Sequence, residues 1–279
     1  MDRRQKVTVP IFFKKTMISL KIKKSLEKMG LYGYIRNIYR NFIIYIGRNG
    51  LKLKLRGTSV KIIISTPLEV NIRRSLYNER WLIEKFLSKI DNQTVIYDIG
   101  AHIGLYSLFA AKYKIAPKFI YCWEPEPHIF NRLKENINLN QIKTILPFST
   151  ALGSENGVVE MSTESEEFGI SVPSFAIKSS TSIPVRVVRG DDWVLEKKLF
   201  PPSIIKIDVE GYEFNVIRGL RETIKKSKPI IFLEVHPFLI KNLGFTGEQI
   251  LDFLKEMGYK INFFSYRGKE EHYILDASK

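Results

Sequence analysis

Leu51, Leu53 and Leu55 alternate with Lys52, Lys54 and Arg56, the period of a strand with one face in a core and the other in water. Gly57 and Thr58 turn this strand back into the apolar run at 60–65, which predicts a hairpin. Upstream the spacing is helical. Ile18, Ile22, Leu26 and Met29 form one stripe opposite Lys21, Lys24 and Lys28; past Gly30 and Gly33 a second runs through Leu31, Ile35, Ile38, Phe42 and Tyr45, beside Arg36 and Arg40. Residues 81–90 also read as a helix. Beyond them short β-branched runs alternate with amphipathic segments. Strands are expected at 94–97, 119–123, 144–147, 204–207 and 230–235, and helices at 104–113, 128–139, 213–220 and 247–257. Strands alternating with helices of this length predict βαβ units, hence an α/β fold with a mostly parallel sheet covered on both faces. Runs at 158–161 and 183–188 predict extra strands around a Ser/Thr-rich loop at 162–182. Residues 259–264 and 272–275 predict a closing hairpin with an antiparallel edge.

Composition sharpens this outline. Hydrophobic residues at 44% and charged residues at 26% of 279 are those of a folded chain. The single cysteine, Cys122, excludes an intrachain disulfide or a cysteine zinc site and suits a reducing compartment. No apolar stretch approaches the roughly 18–20 residues of a membrane span, and the run at 7–13 is interrupted by Thr8 and Pro10. A cytoplasmic protein is expected. The net charge of +15 is unevenly placed, because residues 1–60 hold 15 Lys/Arg against Asp2 and Glu27 alone. The expected division is a basic helical extension with the first strand at 1–60, and the main domain at 61–279.

The chemistry-bearing positions sit at strand ends. Asp98, Gly100 and Gly104 follow the first β-branched run (Val95-Ile-Tyr-Asp98-Ile-Gly100-Ala-His-Ile-Gly104). Open α/β sheets bind ligands at the carboxyl ends of their strands, where glycine lets the backbone come close. The spacing is not the G-x-G-x-x-G of a dinucleotide site, since His102 stands where a second glycine belongs. An acid before the glycine repels a pyrophosphate and suits a cationic or amino-bearing ligand. Glu124, at the end of the next strand, lies 24 residues past Gly100, where an acid accepts both hydroxyls of a ribose. A nucleoside with a positive group and no pyrophosphate points to S-adenosylmethionine.

With these residues the sequence resembles the FkbM-type methyltransferase family. The resemblance rests on Asp98-Ile-Gly-Ala-His-Ile-Gly104, Trp123-Glu-Pro-Glu-Pro127, Asn136-Ile-Asn-Leu-Asn140, Ala151-Leu-Gly153, Lys206-Ile-Asp-Val-Glu-Gly-Tyr-Glu213 and Glu234-Val-His236, in order over about 94–236. The K-I-D-V-E-G block is the most specific. The family usually carries Asn where this chain has His102. The resemblance implies a Rossmann-like class I methyltransferase sheet. It also implies transfer of the sulfonium methyl of S-adenosylmethionine to a hydroxyl, often on a sugar or natural product. The expected cofactor-binding residues are Asp98, Gly100, Ala101, His102, Gly104, Glu124 and Ala151, the last through backbone groups beside the adenine.

A hydroxyl must lose its proton as it attacks, and a carboxylate or imidazole in reach can accept it. Asp208, Glu234 and His236 are the expected catalytic residues, which of them is the base being open. Lys206 and Asp208 form a candidate ion pair, Glu213 reads as a helix-terminus acid, Asp191 and Asp192 as a turn and cap, and His128 and His272 as surface residues. Asp208, Glu210, Glu234 and His236 would suit magnesium or manganese, but their spacing requires no metal and none is assigned.

The expected partner is a hydroxyl-bearing acceptor, a glycan, a lipid-linked sugar or a small natural product, in a cleft shaped by the 154–182 loop and the N-terminal helices. RNA ribose methylation is the closest alternative, because Phe12, Phe13, Tyr32, Tyr34 and Tyr39 interleave with the basic residues. Base methylation is disfavoured: D-V-E-G replaces the N-P-P-[FY] of amino methylation, and Cys122 sits inside the cofactor strand. A nicotinamide dehydrogenase lacks its third glycine. A non-enzymatic adaptor docking residues 14–48 on an anionic membrane surface is the remaining reading.

Overall fold

The computed structural model describes residues 24–67, 69–163, 173–177, 181–267 and 270–277. The run at 7–13, Phe12 and Phe13, the start of the helix expected at 18–29 and most of the 162–182 loop lie outside the described residues.

Residues 24–28 are helical, and helix α1 (Tyr32–Gly47) follows. Strands β1 (Leu51–Leu55) and β2 (Thr58–Ile62) form the antiparallel hairpin, and β1 buries its leucines while its lysines stay in solvent. Helices α2 (Ile72–Asn78) and α3 (Arg80–Leu87) lead into the sheet. Its elements are β3 (Val95–Ile99), α4 (Leu105–Ala111), β4 (Phe119–Trp123), α5 (Pro127–Leu139) and β5 (Ile145–Phe148). A side sheet, order β6-β8-β7, comes from β6 (Ala151–Gly153), β7 (Gly157–Ser162) and β8 (Ser182–Arg189). Then come α6 (Gly190–Glu196), β9 (Ile204–Ile207), α7 (Glu213–Gly219), α8 (Arg221–Ser227) and β10 (Ile230–Val235). The chain closes with α9 (Pro237–Asn242), α10 (Gly247–Glu256), β11 (Tyr259–Arg267) and β12 (Glu270–Ala277).

The main sheet runs β11-β12-β10-β9-β3-β4-β5. Strands β10, β9, β3, β4 and β5 pair in parallel, and β12 is antiparallel to both of its neighbours. The antiparallel strand therefore lies one place in from the edge. This is the Rossmann-like class I methyltransferase sheet implied by the resemblance.

Each face of the sheet carries its own core. Ile96, Ile204 and Phe232 pack with α3, α4, α5 and the hairpin on one face; Tyr97, Ile99, Ile205, Ile207 and Leu233 pack with α7, α8 and α10 on the other. The same alternation places Asp98, Lys206 and Glu234 on the first face of adjacent strands, with Asp98 directly opposite Lys206. Burial on both faces explains why these strands read as continuous apolar runs. The expected division at 60/61 falls inside β2, and Ile43, Leu51, Val60 and Ile62 share the first core.

Candidate active site

The β3–α4 turn is held by close backbone contact. Gly100 has φ +76, and a Cβ there would stand 1.8 Å from the Asp208 carbonyl oxygen, so only glycine fits. Gly104 has φ +94. His102 has φ +50, a region where Asn and His are enriched, which reconciles the family's usual Asn with this His. His102 is an exposed residue, while Ala101 is buried. The Gly100 and Ala101 N–H groups both donate to the Trp123 carbonyl at 3.0 Å, tying the turn to β4.

Glu124 is 6% exposed. One of its oxygens accepts from the His102 N–H at 2.9 Å, the other from the Glu126 N–H at 3.0 Å. Burial pushes its carboxyl up to about 7 against these two bonds. Glu126, not Glu124, is the helix-entry acid: it accepts from the Ile129 N–H and caps α5, with Pro127 at its first turn. Asp98 is buried beneath the turn. Its Oδ2 accepts from Ser107 Oγ at 2.5 Å, and its Oδ1 lies 3.6 Å from Lys206 Nζ. Ala151 stands on β6, three residues past β5, whose Phe148 carbonyl accepts from the Glu124 N–H.

The second half gathers where β9 and β10 end. Lys206 Nζ donates to the Gly100 carbonyl at 3.1 Å and lies 3.3 Å from Asp208 Oδ2. Burial opposes its charge most, but Asp208 and Asp98 outweigh burial and hold its pKa above the ordinary lysine value. His236 faces four acids. Its Nδ1 is 2.6 Å from Glu213 Oε1; its Nε2 is 3.2 Å from Glu210, 3.7 Å from Glu234 and 4.0 Å from Asp208. Burial lowers the pKa of His236, yet Glu210 and Glu213 raise it well above the usual histidine value. Burial also drives the Glu210 carboxyl up to about 8. A narrow cleft between Leu82, Tyr106, Lys206, Asp208, Glu234 and His272 opens beside this cluster.

The pattern that defines the Methyltransferase FkbM domain matches residues 98–261, more than half of the chain. The chain belongs to the FkbM methyltransferase family. AglP of Haloferax volcanii, a hexuronic acid methyltransferase, is 23% identical over 189 residues, 68% of this chain and 75% of that protein. NoeI of Sinorhizobium fredii, a 2-O-methyltransferase, is 29% identical over 150 residues, 48% of this chain and 60% of its own length. Among solved structures, the FkbM methyltransferase of Methylobacillus flagellatus aligns with a TM-score of 0.45 and 19% identity, covering 66% of this chain and 44% of that one.

Within the FkbM fold, several sequence blocks are scaffolding. Asn136 Nδ2 donates to the Ile103 carbonyl while its Oδ1 accepts from the Ile63 N–H; Asn140 makes the matching pair with the backbone of Lys61. Asn136 fastens the end of the hairpin to the glycine turn, and Asn140 fastens the hairpin to the end of α5. Asp191 is buried and accepts from the Glu222 and Thr223 N–H groups, capping α8 rather than its own helix. One sequence reading is corrected. His272 is not on the surface: it is 1% exposed, with Nε2 3.1 Å from Glu234 Oε2 and Trp81 against its ring. Glu213 starts α7 as expected, but it is fully buried and clamps both His236 and the Gly211 N–H. His128 is exposed. Ser107, which holds Asp98, was not anticipated; its only sequence signal is its place one helical turn into α4.

Proposed function

We propose that the protein is an S-adenosylmethionine-dependent O-methyltransferase acting on a hydroxyl of a sugar or sugar-bearing acceptor. One observation carries this reading. The glycine turn with Glu124 and the cluster around Asp208, Glu234 and His236 meet at the carboxyl ends of four adjacent strands, where Gly100 lies against the Asp208 carbonyl. The residues fit the cofactor. Each Glu124 oxygen accepts a single backbone hydrogen bond and keeps capacity for one more, the demand of two ribose hydroxyls. Asp98 Oδ1 is buried without a hydrogen-bond partner, and it supports the site from below through Lys206. Gly100, Ala101, His102 and Gly104 form its floor and Ala151 its far wall. When bound, S-adenosylmethionine supplies a methyl carried on a positive sulfur. Asp208, Glu234 and His236 would hold the acceptor hydroxyl, and one of them would take its proton as the oxygen gains the methyl and the methyl–sulfur bond breaks. The names of AglP and NoeI support a sugar hydroxyl as the acceptor.

Calorimetric titration with S-adenosylhomocysteine tests the cofactor half. Saturable binding is expected, weakened by about 1–3 kcal/mol in Glu124→Ala through loss of charge-assisted hydrogen bonds. A folded protein that does not bind it rejects the reading. Labelled methyl transfer to hexuronic-acid glycosides, with RNA in parallel, then separates sugar from ribose acceptors.

A second reading adds to this one. Tyr34, Ile35, Ile38, Phe42 and Tyr45 are exposed on α1, beside the exposed Arg36 and the half-buried Arg40. No helix among the described residues is long and apolar enough to cross a membrane. An exposed apolar stripe with an arginine at its edge fits the plane of an anionic membrane surface, where a lipid-linked acceptor would be found.

A further inference from the structure

The Glu213 clamp decides how His236 faces the cleft. Glu213 Oε1 already accepts from the Gly211 N–H and lies 2.6 Å from Nδ1, so the ring donates from Nδ1 and turns Nε2 outward. The side chain is 4% exposed, and Nε2 has no hydrogen-bond partner. Three carboxylate oxygens lie within 4.0 Å of Nε2: Glu210 Oε2, Glu234 Oε1 and Asp208 Oδ1. With Nε2 as a lone pair these atoms are all acceptors, and they repel unless a proton or a cation stands among them. Lys206 does not supply it, because its ammonium lies on the far side, against Asp208 Oδ2 and Asp98.

We propose that Asp208, Glu210 and His236 bind a divalent cation of the magnesium–manganese class, which holds the acceptor oxygen. Only that last role rests on the methyl-transfer reading. A six-coordinate ion with bonds of about 2.1 Å sets neighbouring ligand atoms about 3.0 Å apart and opposed ones about 4.2 Å apart. The separations from Nε2 to the Glu210 and Asp208 oxygens are 3.2 and 4.0 Å, close to those two values. One ligand atom each from Asp208, Glu210 and His236 all lie within 4.8 Å of one another. A majority of carboxylate oxygens with one imidazole favours hard ions. Glu213 supplies the carboxylate–histidine support that metal-bound imidazoles carry on their other nitrogen. The Asp208 and Glu210 side chains remain 24% and 25% exposed, which gives the ion an entry path. Glu234, paired with His272 through its other oxygen, lies beside the ion as the base for the hydroxyl proton.

The test is a Mn²⁺ titration of the full chain after dialysis against a chelator, following the electron paramagnetic resonance signal of the free ion. One saturable site per chain is expected, with the dissociation constant raised about tenfold or more in Asp208→Asn, Glu210→Gln and His236→Gln. Glu210 is half-buried at the lip of the cleft, so its substitution keeps the test decisive if the buried His236 variant does not fold. S-adenosylhomocysteine binding is measured on the same samples. Wild-type protein that binds S-adenosylhomocysteine but shows no saturable Mn²⁺ site overturns the proposal, as do variants that bind it and keep wild-type Mn²⁺ affinity. A Mn²⁺ site lost in the variants, in a chain that does not bind S-adenosylhomocysteine, upholds the ion and overturns the methyl-transfer reading.

Discussion

Glu124 combines a carboxyl pushed up to about 7 with a position where ribose hydroxyls are to be accepted. The charged groups that act on it are Glu126, which raises its pKa, and Lys206, which lowers it. For the protein alone the sign is clear. The folded state holds the proton more tightly than an unfolded glutamate at about 4.5 does, so Glu124 makes stability fall as pH rises from there to about 7. A ligand that donates two hydrogen bonds to the carboxylate favours the ionised form and reverses the trend. S-adenosylhomocysteine affinity is therefore expected to rise about tenfold per pH unit up to pH 7 and to level off above it. Titrations at several pH values check this, and Glu124→Gln should bind more weakly with a flat profile; a wild-type profile equally flat would remove Glu124 from the site.

At the scale of elements, the Asn136 and Asn140 pairs join the β1–β2 hairpin to α5 and the glycine turn. Asn136→Ala strands the Ile103 carbonyl and the Ile63 N–H. The expected loss is about 1–3 kcal/mol in urea unfolding, together with weaker S-adenosylhomocysteine binding because the turn loses its anchor. Unchanged stability would show that water replaces both bonds. This scale also shows how far the sequence could be read. Strands β4, β9 and β10 match their expected bounds residue for residue, because buried parallel strands are short apolar runs with abrupt polar ends. Asp98, Glu124, Asp208, Glu234 and His236 stood out for the same reason, each sitting at or just past such an end. His272 did not, because its partner Glu234 is set by the antiparallel register of β12 on β10, 38 residues away. Glu213 was legible as a helix start but not as a clamp, since its burial depends on how the β10–α9 corner folds over it.

Across the whole molecule, the basicity belongs to one end. Residues 61–279 carry 29 basic and 27 acidic residues, close to balance. The described part of the extension adds the exposed stripe of α1, while Ile43 and Gly47 on its other side are buried against the fold. Co-sedimentation is expected with vesicles containing anionic lipid and not with neutral ones, weakening as salt rises from about 0.1 to about 0.5 M. Phe42→Ser with Tyr45→Ser should reduce it without loss of stability, as both side chains are exposed; binding indifferent to lipid charge and to these changes would reject membrane docking. The contact of Gly100 with the Asp208 carbonyl has a reach of its own. It is main chain against main chain, and it joins the half of the cleft that would carry the donor to the half that would carry the acceptor. The spacing between the two substrates is then fixed by the scaffold, leaving side chains around the rim free to change which acceptor is admitted while the transfer distance stays the same.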